Sequence, residues 1–263
     1  MLLRRVGAVV IGCLLIATGC QVDATTTVTM AEDGRGTVMV EVELDGEAFE
    51  RVDDLDAQLR TADLEASGWQ VEGPEPTADG GRRIVVTKPF ADPDQAAMVL
   101  AEITGPDKIL TGAAVQRSKQ FGRVEQSFEA TLDLSGGIEA FGDDELTALL
   151  NDLPIGQDVA ALEEDLGAPL ADLTSFTVIA DLPAGDVSSA GDPDIVETDD
   201  RVVFEWAGSL GDPSRELRAQ TRVVDWLVIG LAVLAIVTGL ILVVMLLRRA
   251  LARRRPTAVA ADS

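Results

Sequence analysis

The chain has 263 residues, of which 45 are Asp or Glu and 21 are Lys or Arg, with no His and no Tyr. Over residues 21–222 the imbalance steepens to 43 acidic against 14 basic residues, a net charge of −29. A surface that acidic repels phosphate backbones, which excludes nucleic acid as a partner. The absence of imidazole and of any thiol pair excludes Ser-His-Asp and Cys-His catalysis, His/Cys zinc sites and internal disulfides.

In chain order, residues 1–19 are expected to be a lipoprotein signal peptide. Arg4 and Arg5 precede an apolar run over 6–17, a length of 12 residues, too short to span ~30 Å of hydrocarbon as a helix. Thr18 and Gly19 then stand directly before Cys20. Small residues in front of a cysteine resemble the lipobox of bacterial lipoproteins. In that family the thiol receives a diacylglyceryl group, and cleavage makes the cysteine the new N-terminus. Cys20 is the expected lipidation site by this resemblance, with Ala17 departing from the usual Leu. The competing reading is an ordinary secretory signal with a chance cysteine. Cys13 lies inside the apolar run and would leave with it.

Residues 20–222 are expected to form one extracytoplasmic domain. Val22, Ala24, Thr26, Val28 and Met30 alternate with polar residues, as do Val38, Val40, Val42 and Leu44. Two half-buried strands are predicted, joined by a turn at 31–36 whose Gly34 and Gly36 are able to take positive φ. Phe49, Val52, Leu55 and Leu59 recur at helical spacing, and a strand over 84–90 follows a turn at 78–81 from Trp69-Gln70-Val71. Asp92-Pro93-Asp94-Gln95 starts a helix through a capping box, carried by Ala97, Leu100 and Ile103 to Gly105. Alternation returns at Val124, Phe128, Ala130, Leu132 and Leu134. Two helices follow over 138–153 and 159–166, split at Pro154. Phe176 to Leu182, Val202 to Trp206 and Leu217 to Thr221 read as the closing strands, with 185–191 as the one plausible loop boundary. Hairpins, then helices, then more hairpins predict an α+β fold: an antiparallel sheet with helices packed on it, plus one C-terminal transmembrane helix.

Residues 223–247 are expected to be that helix, since 226–247 is a stretch of 22 residues without a charge. Trp226 stands where an interfacial aromatic belongs. Arg248, Arg249, Arg253, Arg254 and Arg255 follow, which keeps the short basic tail 248–263 cytoplasmic and the domain outside. Neither end leaves room for a flexible stalk. The domain is therefore expected on the bilayer surface, with its first and last strands both at the membrane-proximal end and plausible as sheet neighbours.

Candidate chemistry is sparse. No phosphate-binding Gly-Lys-Ser/Thr loop and no Ser-x-x-Lys nucleophile is present. Between Arg123 and Arg201 there are 20 Asp and Glu and no basic residue. Divalent-cation binding at Asp192-Pro193-Asp194 or Asp143-Asp144-Glu145 competes there with a plain solvated face, and the spacing of a calcium loop is missing. A glycosidase carboxylate pair lacks a tyrosine platform beside it. Trp69 and Trp206 read first as core and second as walls of an apolar ligand cavity. The Leu-rich stretch 146–166 reads first as amphipathic packing and second as a lid or membrane-contacting face.

Cys20-Gln21-Val22-Asp23 leading into a Thr/Val strand, followed by Asp33-Gly34-Arg35-Gly36-Thr37-Val38, resembles the start of actinobacterial LppM-type lipoproteins. Gly68-Trp69-Gln70-Val71, the strand to Phe90 before Asp92, and Val203-Phe204-Glu205-Trp206 are similar to that family too. So is the order of lipobox, ectodomain, membrane helix and arginine tail. The resemblance implies a non-enzymatic envelope protein in contact with envelope lipids, and carries over no binding residues.

The expected protein is thus a membrane-anchored extracytoplasmic lipoprotein without catalytic residues, metal or cofactor. Its expected partners are the cell membrane and an envelope lipid or glycolipid. The alternative is a structural or accessory subunit docked on a membrane protein partner, although Gly230 and Gly239 do not form a small-xxx-small helix motif.

Overall fold

The alternating residues of the N-terminal segment form a hairpin of β1 (Val22–Met30) and β2 (Gly36–Leu44), in register from Val22 opposite Leu44 to Met30 opposite Gly36. Its β-branched Thr and Val side chains suit a pleated surface. The computed structural model describes residues 21–51, 61–103, 109–136, 163, 167–224 and 226–253. Of the two turn glycines, Gly34 takes the positive φ, at 94°. Gly36 is needed for closeness instead, because a Cβ there would lie 1.9 Å from the Thr29 carbonyl oxygen.

Among the described residues the remaining strands are β3 (Gln70–Pro76), β4 (Arg82–Phe90), β5 (Leu110–Gln120), β6 (Arg123–Leu132), β7 (Thr174–Pro183), β8 (Asp186–Ala190), β9 (Asp194–Glu197), β10 (Arg201–Gly208) and β11 (Arg215–Val224). The helices are α1 (Gly46–Arg51), α2 (Thr61–Ala66), α3 (Pro93–Ile103), α4 (Leu170–Leu173) and α5 (Trp226–Arg253). The α+β class holds. The strands divide, however, into a seven-stranded sheet ordered β3-β4-β2-β1-β7-β10-β9 and a four-stranded sheet ordered β5-β6-β11-β8. All pairs are antiparallel except β1 with β7, which run parallel from Val22 beside Thr174 to Thr29 beside Asp181.

Two expectations are corrected here. β1 and β11 are not sheet neighbours, because β1 sits between β2 and β7 while β11 sits between β6 and β8 in the other sheet. The expected loop at 185–191 contains β8, whose backbone pairs with β11 from Arg218–Ala190 to Arg222–Asp186. Its sequence is too polar to show as a strand, since only Val187 packs against the core. β5 carries no strand signal either. Its buried apolar residues are Leu110 and Val115 alone, and pairing with β6 supplies the rest.

The core lies between the sheets. Phe176, Val178, Ala180 and Leu182 of β7, with Val202, Phe204 and Trp206 of β10, meet Phe128, Ala130 and Leu132 of β6 and Leu217 and Ala219 of β11. Trp206 ties the sheets together. Its ring stacks on Phe204 with centroids 6.2 Å apart, tilts against Phe128 at 6.2 Å, and its indole N–H donates to the Ala190 carbonyl at 3.1 Å. The β2–β4 part of the larger sheet is covered by α3, which buries Ala96, Val99 and Leu100 and also packs on β5. The capping box is present with a one-residue offset: Asp92 accepts from the Gln95 N–H at 2.8 Å, and the Gln95 side chain accepts from the Ala91 N–H at 2.6 Å.

Several sequence expectations fall outside the described residues. They are the signal peptide with Cys20, the continuation of α1 through Val52, Leu55 and Leu59, the helix end at Gly105, and the tail beyond Arg253. The helices expected over 138–166 fall there too, with Glu163 alone described, as helical.

Trp69, only 4% exposed, is core as first expected, and its N–H donates to Glu102 Oε2 at 2.7 Å. The Lys88 ammonium donates to both Glu102 oxygens at 2.7 and 2.8 Å. This cluster fastens α3 to β3 and β4. The Lys88 hydrogen bonds, opposed by burial and helped by the Trp69 N–H, hold the Glu102 carboxyl below its ordinary value of 4.5. A folded-state pKa that is depressed stabilises the fold above the unfolded value, and the contribution is lost as pH falls through the folded value. Glu102→Gln should therefore lower the unfolding free energy of the full chain in detergent at neutral pH, measured by urea titration, by about 1 kcal/mol given the partial exposure of the pair. The gap from the parent should close as the pH drops below 4.5. A gap that stays constant down to strongly acidic pH would assign the loss to packing alone.

Candidate functional site

Where β11 passes into α5, the two sheets and the helix enclose a groove with a volume of about 390 Å³. Its polar lining comes from Arg117 and Lys119 of β5 and Glu32 of the β1–β2 turn. Its apolar lining comes from Val124, which is paired with Lys119, and from Pro183, Val223, Val224 and Trp226. Alternation along β5 places Arg117 and Lys119 on one face, and the turn into the helix brings Trp226 over them.

The groove is braced from both sheets. Gln126, 3% exposed, lines it and donates to the carbonyls of Ala31 at 2.9 Å and Glu32 at 3.3 Å. Arg117 Nε also donates to the Glu32 carbonyl, at 3.0 Å. From the other sheet, the Arg201 guanidinium donates to the Met30 carbonyl at 2.8 Å and to the Asp181 carboxylate at 2.7 Å. The Gln126 Oε1 and the hydroxyl of Thr221, its cross-strand partner, are buried without a hydrogen-bond partner. Two unsatisfied polar atoms side by side cost free energy unless something supplies a donor and an acceptor.

Trp226 is 75% exposed and opens a helix whose segment Val228–Arg249 is, by length and composition, able to cross a membrane, with none of its apolar window buried in the protein. The β5–β6 turn touches this helix. Gly122, buried and at φ 69°, lies so close to Ile229 that an added Cβ would stand 2.8 Å from the Ile229 Cγ1. Phe121, beside it at the tip, is 78% exposed.

The expectation that both chain ends sit together is not met. Met30, Ala31 and Glu32 are at the groove, whereas Val22 is at the other end of β1, ~27 Å away at ~3.3 Å per residue. The parallel β1–β7 pairing causes this. β7 ends at Pro183 in the groove wall, so β1 must also run toward the groove and begin far from it.

Of the other sequence candidates, Asp192 lies in the β8–β9 turn at φ 49° and Asp194 begins β9. No group of three His, Cys, Asp or Glu converges among the described residues. Asp143-Asp144-Glu145 and nearly all of the Leu-rich stretch lie outside the described residues. Trp206 is core and not a cavity wall. Sequence reasoning found Trp226 but missed Arg117, Lys119, Phe121, Val223 and Val224. The available signal was Phe121-Gly122 flanked by Lys119 and Arg123, a turn between two β-prone runs.

No protein-family model matches the chain, and no curated protein matches it. Among solved structures, the folded domain of LppM from Mycobacterium tuberculosis, determined by NMR, is similar over 79% of this chain and 92% of its own, at 14% identity and a TM-score of 0.39. The likeness is distant.

Gly122→Val should strain the turn and collide with Ile229, lowering stability by about 1–2 kcal/mol. Thermal unfolding of the full chain in detergent measures this, and an unchanged midpoint would mean that turn and helix are not in contact.

Proposed function

We propose that this protein is a non-enzymatic envelope lipoprotein whose domain faces outward on α5, and that its groove holds the headgroup of an envelope lipid or glycolipid. The observation that carries this is the groove's composition at the point where the chain meets a membrane-spanning helix. Arg117 and Lys119 offer a cationic lining suited to a phosphate. Trp226, Val223, Val224 and Val124 offer an apolar lining suited to glycerol and upper acyl carbons. Behind them, Gln126 Oε1 requires a donor, which a headgroup hydroxyl or a bound water has. Arginines after the span favour a cytoplasmic C-terminus. With Cys20 lipidated and Val22 remote from the groove, lipid and helix reach one bilayer when the domain lies along its surface.

The accessory-subunit reading has its own support. β9 is an edge of the seven-stranded sheet, with Val196 61% and Ile195 40% exposed, the kind of edge a partner strand extends.

Native mass spectrometry of the full chain, released from membranes of its own host, should show a retained lipid competed away by one lipid class. Arg117→Glu with Lys119→Glu should lower its occupancy about tenfold. A bare protein mass under all conditions, with a second polypeptide retained, would transfer the case to β9. Cys20→Ser should lose the mass of the diacylglyceryl group yet stay in the carbonate-washed membrane fraction, because the helix alone suffices. Its release into the soluble fraction would show that α5 is no anchor.

A further inference from the structure

Phe121 is the exposed tip of the β5–β6 hairpin, and the hairpin's position makes that exposure informative. A large aromatic in a two-residue turn, beside strands paired up to Gln120 opposite Arg123, is left outside the buried core. Its neighbour Gly122 is packed on Ile229, which is one residue into the apolar span that starts at Val228. Trp226 lies three residues nearer the domain, ~4.5 Å at ~1.5 Å per helical residue. Once α5 crosses a bilayer, the turn in contact with Ile229 is at the depth where headgroups give way to hydrocarbon. Water is scarce there, and an exposed phenyl ring is favoured.

The charges around the tip agree. The mature domain is strongly acidic, yet Lys119 and Arg123 flank the turn, both exposed. Neither makes an ion pair among the described residues, which they share with Arg82, Arg117 and Arg215, whereas Arg35, Arg83, Lys88, Arg201, Arg218 and Arg222 are paired. Two uncommitted cations at headgroup level, with a phenyl ring just below, are what an anionic leaflet attracts.

We propose that the β5–β6 hairpin tip is a second insertion point into the leaflet that α5 crosses, with Phe121 among the acyl chains and Lys119 and Arg123 on anionic phospholipid headgroups. The partner is the bilayer itself, so this goes beyond the binding of a single lipid in the groove. A single helix leaves a domain free to swivel. A wedge beside it fixes the tilt and with it the direction in which the groove opens.

The test is spin-label depth measurement on the full chain in nanodiscs of phosphatidylethanolamine, with and without phosphatidylglycerol. The label is placed through Phe121→Cys in a background carrying Cys13→Ser and Cys20→Ser. A label at Val196 reports an aqueous position and one at Leu231 a membrane position. At Phe121 the label should collide with oxygen several-fold more than with a water-soluble nickel chelate, as at Leu231, and the preference should grow with phosphatidylglycerol. Lys119→Ala with Arg123→Ala should abolish that growth. Nickel access equal to that at Val196 would overturn the proposal. So would shielding from both reagents, which would mark a protein contact. Phe121→Asp, which removes no core residue, should leave the urea midpoint unchanged while a label at Gln120 moves toward water. Lipid retention in the groove, read by native mass spectrometry with Phe121→Asp, reports separately on the proposed function, so either idea can fail alone.

Discussion

The parallel pairing of β1 with β7 joins segments 152 residues apart, down to the hydrogen bond from the Ser175 hydroxyl to the Asp23 carboxylate. Parallel neighbours cannot be closed by a hairpin and require a crossover. The chain from β2 through α3, β5 and β6 belongs to that crossover, and it places part of the second sheet on the face of the first. β7 leads on through β8 to β11, so both β7 and β11 run toward the membrane helix. β1, parallel to β7, runs the same way. The β1–β2 turn therefore ends beside Trp226, held by Arg201 from one sheet and Gln126 from the other. The distance between Val22 and the membrane helix follows from the same pairing.

That arrangement resolves a tension in the charge. A domain of net −29 is repelled by anionic headgroups if its charge is spread evenly. The fold is uneven. Arg83, Arg201, Arg218 and Arg222 are paired with Glu41, Asp181, Glu129 and Glu125. Arg117 is turned onto the Glu32 carbonyl in the groove, and Lys119 and Arg123 stand at the hairpin tip. Arg117, Lys119 and Arg123 thus lie near the start of α5 without an ion pair among the described residues, while Arg82 and Arg215, also without one, lie at the far ends of β4 and β11.

Rigidity at the groove comes from neighbours that do not line it. Trp206, enclosed by Phe204 and Phe128 and bonded to Ala190, fixes the spacing of the sheets. The Trp69–Glu102–Lys88 cluster fixes α3 over β2 and β4, and α3 in turn supports β5.

What was legible in the sequence was whatever depends on local periodicity. β1, β2, β6, β7, β10 and β11 showed in alternating residues because each presents one face to a core. The start of α3 showed in its capping residues, and α5 in a charge-free run. β5 and β8 were invisible, since their stability comes from backbone pairing with strands distant in sequence, and pairing leaves no mark on side-chain pattern. Their residues, too polar to predict a strand, supply Arg117 and Lys119 to the groove and the carbonyl for Trp206. The sequence by itself determined class, charge and a segment long and apolar enough to cross a membrane, all sums over neighbouring residues. Tertiary structure alone decided that one strand pair is parallel, that β1 begins far from α5, and that Gly122 of the β5–β6 turn lies against that helix. Each of these is a long-range register, set by which sheet faces could be buried together.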